Sequence, residues 1–362
     1  MTDFTLTILG ATGYTGRLCV AEALRRGIPV RVAGRRREAL EQLVAEHSGA
    51  PAPVSLQVAD VHDAAALRDV AVSSDVLLSA VGPYNAHGRP VVEAALDAGT
   101  PYLDVSGELE FISWVHSQAD RAREGGVALA PAFGYDGVPG ECLAVLAADA
   151  LNRPVVTARV AYSVAAGKVS AGTARSALGA LTRGGAVWRG GRVCQEPAGI
   201  EQWQVPFPSP PGATNAISVP FPEVASVGRS IGAEVARSYF TVPAAGMIPS
   251  IAGPAQRLTS VLSTTPLWGL LERAVDRLPD GPEPDARTGT KTVVLAEVAA
   301  ANGVTAVRWA RVDDPYGVTA VIAVLAAKRL ASGEVEPGVL TPSQLLDPAA
   351  LLAEIASEVG PA

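Results

Sequence analysis

Cysteine is scarce in this chain, and the spacing of its few copies excludes two kinds of site. Cys19, Cys142 and Cys194 lie far apart and form no CxxC pair, so neither a disulfide framework nor a zinc motif is expected. Unpaired thiols suit a reducing compartment, and we therefore predict a cytoplasmic protein. Histidine is equally sparse. Its four copies lie within the first 116 residues, none in HxxxH or HExxH spacing, and we expect no metal site.

The sequence also contains few charged residues and no long apolar run. Charged residues make up 18% of the 362 residues and hydrophobic residues 48%, which excludes extensive disorder. The formal net charge of −7 disfavours nucleic acid or an anionic membrane surface as a partner. The longest apolar run, residues 318–327, is shorter than the ~20 residues that a membrane span needs. The large hydrophobic share predicts a homodimer interface or, as the alternative, an apolar substrate.

The first 130 residues alternate short β-branched runs with helical patterns, which is typical of an α/β fold with a parallel sheet. The first apolar run leads directly into a glycine turn, which predicts a strand and not a targeting signal. Six strands joined by five crossovers predict a doubly wound, Rossmann-type domain. The predicted strands are 4–9, 28–34, 54–58, 76–80, 102–105 and 127–130, and the predicted helices are 14–26, 38–46, 64–72, 89–98 and 109–124.

The remainder of the chain predicts a second domain of mixed α+β type for substrate binding or dimerisation. A glycine-rich segment at 134–140 resembles a hinge and precedes a predicted helix. Strand patterns then lie far apart in sequence, which favours a mixed or antiparallel sheet. We expect domains at 1–132 and 133–314, with C-terminal helices in 315–362 returning to the first domain. The later predicted strands are 155–163, 292–299 and 306–311, and the later predicted helices are 141–152, 173–181, 267–278, 318–332 and 348–359.

The clearest motif is the glycine-rich segment that follows the first strand and opens the first helix, residues 10–16. Gly10 permits a tight turn, Gly13 lets the backbone approach a pyrophosphate, and Gly16 lets helix and strand pack closely. The helix N-terminus would present free N–H groups to the phosphates. The motif therefore predicts a dinucleotide-binding loop. Its expected cofactor contacts are Gly10, Thr12, Gly13, Tyr14, Thr15 and Gly16.

The residues after the second strand indicate which dinucleotide binds. An enzyme specific for NAD places an acid there to bind the ribose 2′-hydroxyl. This chain has Gly34, Arg35, Arg36 and Arg37 there, and its next carboxylate is Glu38. Arginine offers charge-assisted, bidentate hydrogen bonds to a 2′-phosphate, whereas cations at a helix N-terminus oppose the helix dipole. We therefore predict NADP(H), with Gly34, Arg35 and Arg36 at its 2′-phosphate.

Further segments are as distinctive as the glycine loop. They are, in chain order, AGRR at 33–36, GPYNAHG at 82–88, AGTPYLDVSGE at 98–108, FGYDGVPG at 133–140, SAGT at 170–173, DPYG at 314–317 and GVLTP at 338–342. With GATGYTG at 10–16 they resemble the saccharopine dehydrogenase-like oxidoreductases. Within that family the chain is more similar to the trans-acting enoyl reductases and their bacterial relatives than to true saccharopine dehydrogenases. The chain departs from the pattern of that branch in having few aromatic residues and a divergent stretch at 206–222. These departures bear on the identity of the substrate more than on the use of the cofactor.

In a doubly wound sheet the ligand lies across the carboxyl ends of the strands. The loop after the fourth strand is therefore expected to contact the cofactor. The resemblance also implies that Gly82 and Pro83 close over the nicotinamide ribose. The expected cofactor contacts in this group are Asp60, Ala80, Val81, Gly82 and Pro83.

Two residues are candidates for the proton transfer that follows hydride addition. Tyr84 would donate a proton to the atom left anionic by the hydride. Its alternative role is a half-buried aromatic whose hydroxyl bonds a backbone carbonyl. Asp136 lies among glycines at the domain junction and matches an acidic residue of the family's hinge, so it could be a general acid, a substrate anchor or a residue that orients Tyr84. Its alternative role is an Asx turn.

Six residues are candidates for substrate contact, and each has a structural alternative. His87 could cap a helix or face solvent, and Glu108 could cap the helix that follows it. Lys168 could grip a carboxylate or a phosphate, or could simply precede a helix. The six candidates are His87, Ser106, Glu108, Tyr135, Lys168 and Thr173.

Three functions fit these features. The first is an NADPH-dependent reductase of a C=C bond in an enoyl thioester, lipid or polyketide-like substrate, either small or carrier-bound. The second is a reductase of C=N bonds formed from amino acids, which would favour clustered arginines for the carboxylates. The available arginines are Arg175, Arg183, Arg189 and Arg192. The third is a non-catalytic protein that senses NADP(H) or acts as a scaffold. A serine hydrolase is disfavoured because there is no GxSxG motif.

Overall fold

The structure is a computed structural model that describes residues 4–165, 184–241 and 281–361. Its chain divides into two compact units. The first unit comprises Met1–Tyr135 and Tyr316–Leu346, and the second comprises Asp136–Pro315 and Asp347–Ala362. Among the described residues, no helix is both long enough and apolar enough to cross a membrane.

The first unit contains a seven-stranded sheet in which every pairing is parallel. The strand order is β15-β6-β5-β4-β1-β2-β3. Central strands such as β1 and β4 are buried along their whole length, as expected for a parallel sheet covered by helices on both faces. The predicted doubly wound sheet is therefore confirmed. The strands are β1 Leu6–Leu9, β2 Val30–Gly34, β3 Val54–Val58, β4 Val76–Ser79, β5 Tyr102–Asp104, β6 Ala128–Ala130 and β15 Gly338–Val339.

The helices of the first unit differ from the prediction at two places. The predicted helix 89–98 begins at Tyr84, because the side chain of Glu108 accepts hydrogen bonds from its first N–H groups. The predicted helix 109–124 is divided in two at Gln118. The helices are α1 Tyr14–Arg25, α2 Arg37–Glu46, α3 Ala64–Val72, α4 Tyr84–Ala98, α5 Leu109–Ser117, α6 Ala119–Glu124, α10 Pro315–Ala331 and α11 Pro342–Leu345.

The second unit contains a mixed sheet, as the separated strand patterns predict. Its main path is β10-β11-β12-β7-β13-β14-β16, and the β8–β9 hairpin branches from β12. Only β12 and β7 pair in parallel among the described strands of this sheet. The strands are β7 Thr157–Ala165, β8 Gly185–Arg189, β9 Arg192–Glu196, β10 Gln202–Pro206, β11 Ala213–Val219, β12 Val235–Thr241, β13 Lys291–Ala299, β14 Thr305–Arg311 and β16 Glu358–Pro361. The helices are α7 Val138–Leu151, α8 Glu223–Ser230, α9 Pro284–Thr288 and α12 Pro348–Ile355.

The C-terminal segment does not return to the first unit as a whole. Residues 316–346 belong to the first unit, but the last residues lie in the second. There α12 packs on α7, and the chain ends as a strand paired with β14, where Arg311 and Glu358 form an ion pair of 2.8 Å. The expectation for residues 315–362 is thus corrected from 347 onward. The predicted helices 173–181 and 267–278 lie outside the described residues.

Candidate functional site

The glycine loop after β1 is held in a tight turn by contacts that exclude larger side chains. Gly10 has a φ of +82°, and a Cβ there would lie 2.8 Å from the Ala80 carbonyl oxygen and from Val81 Cγ2. A Cβ on Gly16 would lie 2.9 Å from the Cα of Ala11 and would also overlap the Gly10 carbonyl oxygen. Both positions therefore need glycine for the fold of the loop itself, and Gly10 also brings Ala80 and Val81 beside it.

Gly13 differs from these two glycines. It is exposed, its backbone is extended with φ −76° and ψ 167°, and a Cβ there would meet only the Gly10 carbonyl oxygen, at 3.3 Å. A side chain at Gly13 would thus be tolerated by the protein itself. What glycine leaves open here is a surface on which a ligand can approach the backbone, as a pyrophosphate requires.

The start of α1 is not capped by a side chain. Its N-cap is Gly13, which makes no side-chain hydrogen bond, and its first turn contains no acid. Thr12, Tyr14 and Thr15 flank this end and are partly exposed. A helix N-terminus with unpaired donors and a partial positive charge is suited to phosphate oxygens. The residues present therefore fit the pyrophosphate of a dinucleotide.

The arginines after β2 are available to an anion. Arg35 and Arg36 are exposed, and among the described residues neither has a carboxylate partner, whereas Arg37 lies 3.7 Å from Glu41. Arg36 is the N-cap of α2, where a positive charge opposes the helix dipole. Gly34 ends β2, and its carbonyl accepts from Ala59 N–H at 2.9 Å. Binding of a 2′-phosphate therefore explains the two arginines better than a solvated helix start does.

The other expected cofactor contacts lie at the same edge of the sheet. Asp60 follows β3 and is half-buried, and its carboxylate accepts from the His62 N–H at 2.9 Å. Ala80 N–H donates to the Leu9 carbonyl at 2.8 Å, which brings the loops after β1 and β4 together. Gly82 and Pro83 are exposed, and Pro83 is the N-cap of α4.

Tyr84 takes the structural alternative that the sequence left open. Its side chain is 7% exposed and packs in the core against Phe111, and its hydroxyl donates to the Ser79 carbonyl at 3.0 Å. Burial and the nearby Asp104 carboxyl raise the pKa of Tyr84 well above its ordinary value. A hydroxyl bonded inside the core cannot reach a substrate. The structure therefore favours the structural alternative over proton donation by Tyr84.

Glu108 and Ser106 also serve the fold in place of the expected substrate contact. Glu108 is 7% exposed, and its carboxylate accepts from Tyr84 N–H at 2.8 Å and from Asn85 N–H at 3.0 Å. It thus caps α4 from another loop, whereas the sequence predicted a cap for the helix that follows it. The Ser106 hydroxyl oxygen in turn accepts from Glu108 N–H at 3.1 Å. Neither side chain is presented to a ligand.

Asp104 completes this arrangement and was not among the predicted site residues. It is fully buried, and one carboxyl oxygen accepts from Ser106 N–H at 2.8 Å and from Ala132 N–H at 2.9 Å. Ala132 has a φ of 65°, an unfavourable conformation for alanine that these contacts hold in place. Desolvation raises the pKa of Asp104 to about 6. A carboxylate at the end of a buried strand was the one sequence signal for this role.

The remaining candidates are dispersed. The His87 ring is half-buried and lies edge-to-face with His62, with 5.2 Å between the ring centres. Tyr135 is buried at the end of the first unit, and its N–H donates to the Thr319 hydroxyl at 3.1 Å. Asp136 begins the second unit; its side chain is exposed, yet the protein around it raises its pKa to about 6 through desolvation. Lys168 and Thr173 lie outside the described residues.

Comparison with known proteins is consistent with this site. Residues 6–129 match the family described as "Saccharopine dehydrogenase NADP binding domain". A probable mitochondrial saccharopine dehydrogenase-like oxidoreductase of Arabidopsis thaliana is 37% identical over 150 residues, which are 38% of this chain and 33% of that protein. A trans-acting enoyl reductase of Mycobacterium ulcerans is 33% identical over 145 residues, which are 38% of this chain and 34% of that protein. The chain thus spans about a third of the length of these relatives.

A solved structure extends the likeness to both units. The apo saccharopine dehydrogenase (L-Glu forming) of Saccharomyces cerevisiae has a TM-score of 0.61 and 15% identity, over 99% of this chain and 100% of that chain. At that identity the match shows a common fold. The family match confirms the predicted cofactor, NADP(H). Residues 6–129 of this chain are thus similar to the saccharopine dehydrogenase NADP-binding domain, and the likeness in fold covers both units.

Proposed function

We propose that this protein is an oxidoreductase that uses NADPH to reduce the C=C bond of an enoyl substrate, such as a thioester, a lipid or a polyketide-like chain. The observation that carries the proposal is the open dinucleotide site of the first unit, in which Gly13 is exposed and no side chain caps the start of α1. The likeness to a trans-acting enoyl reductase supports the choice of bond.

The cofactor would supply a hydride, and the chain must supply a proton. Addition of that hydride at the β carbon of an enoyl substrate would form a C–H bond there and leave the π electrons on the carbonyl side as an enolate. The α carbon then takes a proton from an acid, which regains one from water. With the Tyr84 hydroxyl in the core, Asp136 is the proposed acid because its residue is exposed and the protein around it raises its pKa to about 6.

The alternative substrate is a C=N bond derived from an amino acid. That reaction would favour arginines gathered around the substrate carboxylates. Arg189 and Arg192 face each other across the turn of the β8–β9 hairpin, and both are exposed to solvent. Arg175 and Arg183 lie outside the described residues. The choice of the enoyl substrate therefore rests on the likeness to the trans-acting enoyl reductase and not on these arginines.

The test is oxidation of NADPH with three panels of substrate: enoyl thioesters of increasing chain length, amine–aldehyde pairs that form imines, and simple ketones. We expect turnover with the enoyl panel and at least tenfold lower kcat/KM with imines. Gly13→Val serves as the control that lacks cofactor binding. Turnover of imines alone would favour the second function, and tight NADPH binding without any turnover would favour a sensor or scaffold.

The proposed acid has its own test. Asp136→Asn should lower kcat by about 100-fold, the ordinary contribution of a positioned acid. With wild-type protein the rate should fall as the pH rises through about 6, because the carboxylate form cannot donate a proton. The variant should lose this dependence. An unchanged pH profile in Asp136→Asn would exclude Asp136 as the donor.

We also propose a cytoplasmic homodimer. The proposal rests on the unpaired cysteines and on the large hydrophobic share of the sequence. Gel filtration with light scattering measures the mass of the assembly, and cell fractionation locates the protein. A monomer at micromolar concentration, or recovery in an organelle fraction, would contradict the corresponding part of this proposal.

A further inference from the structure

Two tyrosines from distant parts of the sequence meet at the start of the dinucleotide loop's helix. Tyr14 is the first residue of α1, directly after Gly13, and Tyr316 is the second residue of α10. Their ring centres lie 5.2 Å apart and their planes are perpendicular, at 89°. This is the favourable edge-to-face geometry for two aromatic rings. Both rings belong to the first unit, although Tyr316 lies outside the matched NADP-binding domain.

The start of α10 is fixed at this place by a second contact. One turn after Tyr316, the hydroxyl of Thr319 accepts from the Tyr135 N–H at 3.1 Å. A Cβ on Gly134 would lie 3.5 Å from the Thr319 methyl carbon, which is ordinary van der Waals contact. The position of Tyr316 is therefore set by the packing of its helix on the loop after β6.

The charge at this place suits a phosphate. The N-termini of α1 and α10 come together at the two tyrosines, and neither helix has an acid in its first turn. Each N-terminus carries a partial positive charge. Asp313 and Asp314 directly precede α10, so the N-terminus of α1 alone is counted here. It favours an anionic group beside Tyr14, which is where the pyrophosphate of the bound cofactor is expected.

We infer that Tyr316 is a positioning residue for NADP(H). Its ring holds the side chain of Tyr14 to one side, so that the first turn of α1 and the exposed backbone of Gly13 stay open to the pyrophosphate. The helix α10 thus contributes to the cofactor site although it lies outside residues 6–129, which match the NADP-binding family. The inference rests on NADP(H) binding at the glycine loop, and it does not depend on which bond the enzyme reduces.

Substitutions at Tyr316 and at the arginines should act on different phosphate groups of the cofactor. Tyr316 should affect the pyrophosphate, whereas Arg35 and Arg36 should affect the 2′-phosphate. Adenosine 2′-monophosphate carries the second group without the first. A variant that only damages the fold would weaken both ligands, and a variant that frees Tyr14 would weaken NADPH alone.

The experiment measures dissociation constants for NADPH by fluorescence, and for adenosine 2′-monophosphate by displacement. Tyr316→Ala should raise the dissociation constant for NADPH about three- to tenfold, which is the usual contribution of an aromatic pair. The dissociation constant for adenosine 2′-monophosphate should change by less than about twofold. Tyr316→Phe should restore binding because it keeps the ring. Arg329→Ala is the matched control; Arg329 lies in the last turn of the same helix, paired with Glu334 at 3.1 Å, and its loss should change neither constant.

Several results would overturn the inference. They are an unchanged NADPH constant in Tyr316→Ala, equal losses for both ligands, and failure of Tyr316→Phe to restore binding. If Tyr316→Ala does not fold, Tyr316→Leu keeps most of the volume without an aromatic edge and should show the same selective loss. Absence of NADPH binding in the wild-type protein would overturn the proposed function as well, so the two failures are distinguishable.

Discussion

The loops after β1 and β5 lie at the same edge of the parallel sheet, yet they use their polar groups in opposite ways. Around the first loop, no side chain caps the start of α1, and Arg35 and Arg36 have no carboxylate partner among the described residues. Around the second, the carboxylates of Asp104 and Glu108 accept two backbone N–H groups each. The first loop therefore has donors to offer a ligand, whereas the second has used its acceptors within the fold.

A binding loop can be separated from a supporting loop by the internal partners of its polar groups. Both loops are rich in functional groups, and the sequence predicted ligand contacts in each of them. Only in the structure can the internal partners of each group be identified. A polar group whose partner is internal stabilises the fold, and a group left without one is available for function.

The largest effect is expected at the open loop. Gly13→Val should weaken NADPH by at least about 100-fold, because its branched side chain occupies the surface that the pyrophosphate approaches. The melting temperature should change little, since a Cβ at Gly13 meets only one atom, at 3.3 Å. Gly16→Val is the contrasting variant and should lose stability, because its Cβ would lie 2.9 Å from Ala11 Cα. Fluorescence titration and thermal melting test both; retained binding in Gly13→Val would place the site elsewhere.

The closed loop should instead show a dependence of stability on pH. The folded-state pKa of Asp104 is raised from 3.8 to about 6, so the folded protein favours the protonated carboxyl. This contribution to the free energy of unfolding is fully present below the unfolded-state pKa and is lost as the pH rises through about 6. The loss amounts to about 3 kcal/mol, because one pKa unit corresponds to about 1.36 kcal/mol. Asp104→Asn keeps an acceptor oxygen and should remove this slope. Urea unfolding of both proteins between pH 4 and pH 8 measures it, and parallel curves would contradict the raised pKa.

A smaller effect on binding is expected from the arginines. Wild-type protein should prefer NADP(H) over NAD(H) by at least tenfold, about 1.4 kcal/mol. Arg35→Ala or Arg36→Ala should narrow this preference, chiefly by weakening NADP(H). Arg37→Ala is the matched control, because Arg37 lies within α2 near Glu41 and should matter less. Titration with both cofactors is the measurement, and equal affinities in the wild type would contradict the assignment of these arginines.

The smallest effect is expected at Tyr84. Tyr84→Phe removes one buried hydrogen bond to the Ser79 carbonyl and should cost about 1 kcal/mol of unfolding free energy. The kcat should stay close to that of the wild type, since the hydroxyl faces the core. A fall in kcat of about 100-fold or more, as the sequence alone suggested, would show that this loop opens during turnover. Denaturation and steady-state kinetics on the same preparation separate the two outcomes.

Sequence reasoning succeeded where the relevant contacts are local. The glycine spacing, the buried strand before it and the basic residues after β2 together indicated the Rossmann-type sheet and NADP(H), because each feature acts within a few residues of its neighbours. The role of Glu108 could not be derived in this way. Its partners Tyr84 and Asn85 lie 24 and 23 residues earlier, and nothing in the sequence relates the carboxylate to their N–H groups.

The second unit shows the same limit. Strand β7 pairs with β12 on one side and β13 on the other, so strands with long intervening segments become neighbours. A mixed sheet could be predicted, but its order could not. The final residues were predicted as a helix returning to the first unit, yet Glu358–Pro361 forms a strand in the second, where it gains hydrogen bonds and the ion pair to Arg311.

A series of hydrogen bonds joins Asp104 to Ser106, Ser106 to Glu108, and Glu108 to the start of α4. This series has a consequence for protein engineering. The loops after β4 and β5 are not separate modules, because the second supplies the cap of the helix that follows the first. Exchanging either loop alone with that of another protein would leave donors or a carboxylate without a partner. Grafts intended to change substrate preference should therefore transfer both loops together, or leave both in place and vary the second unit.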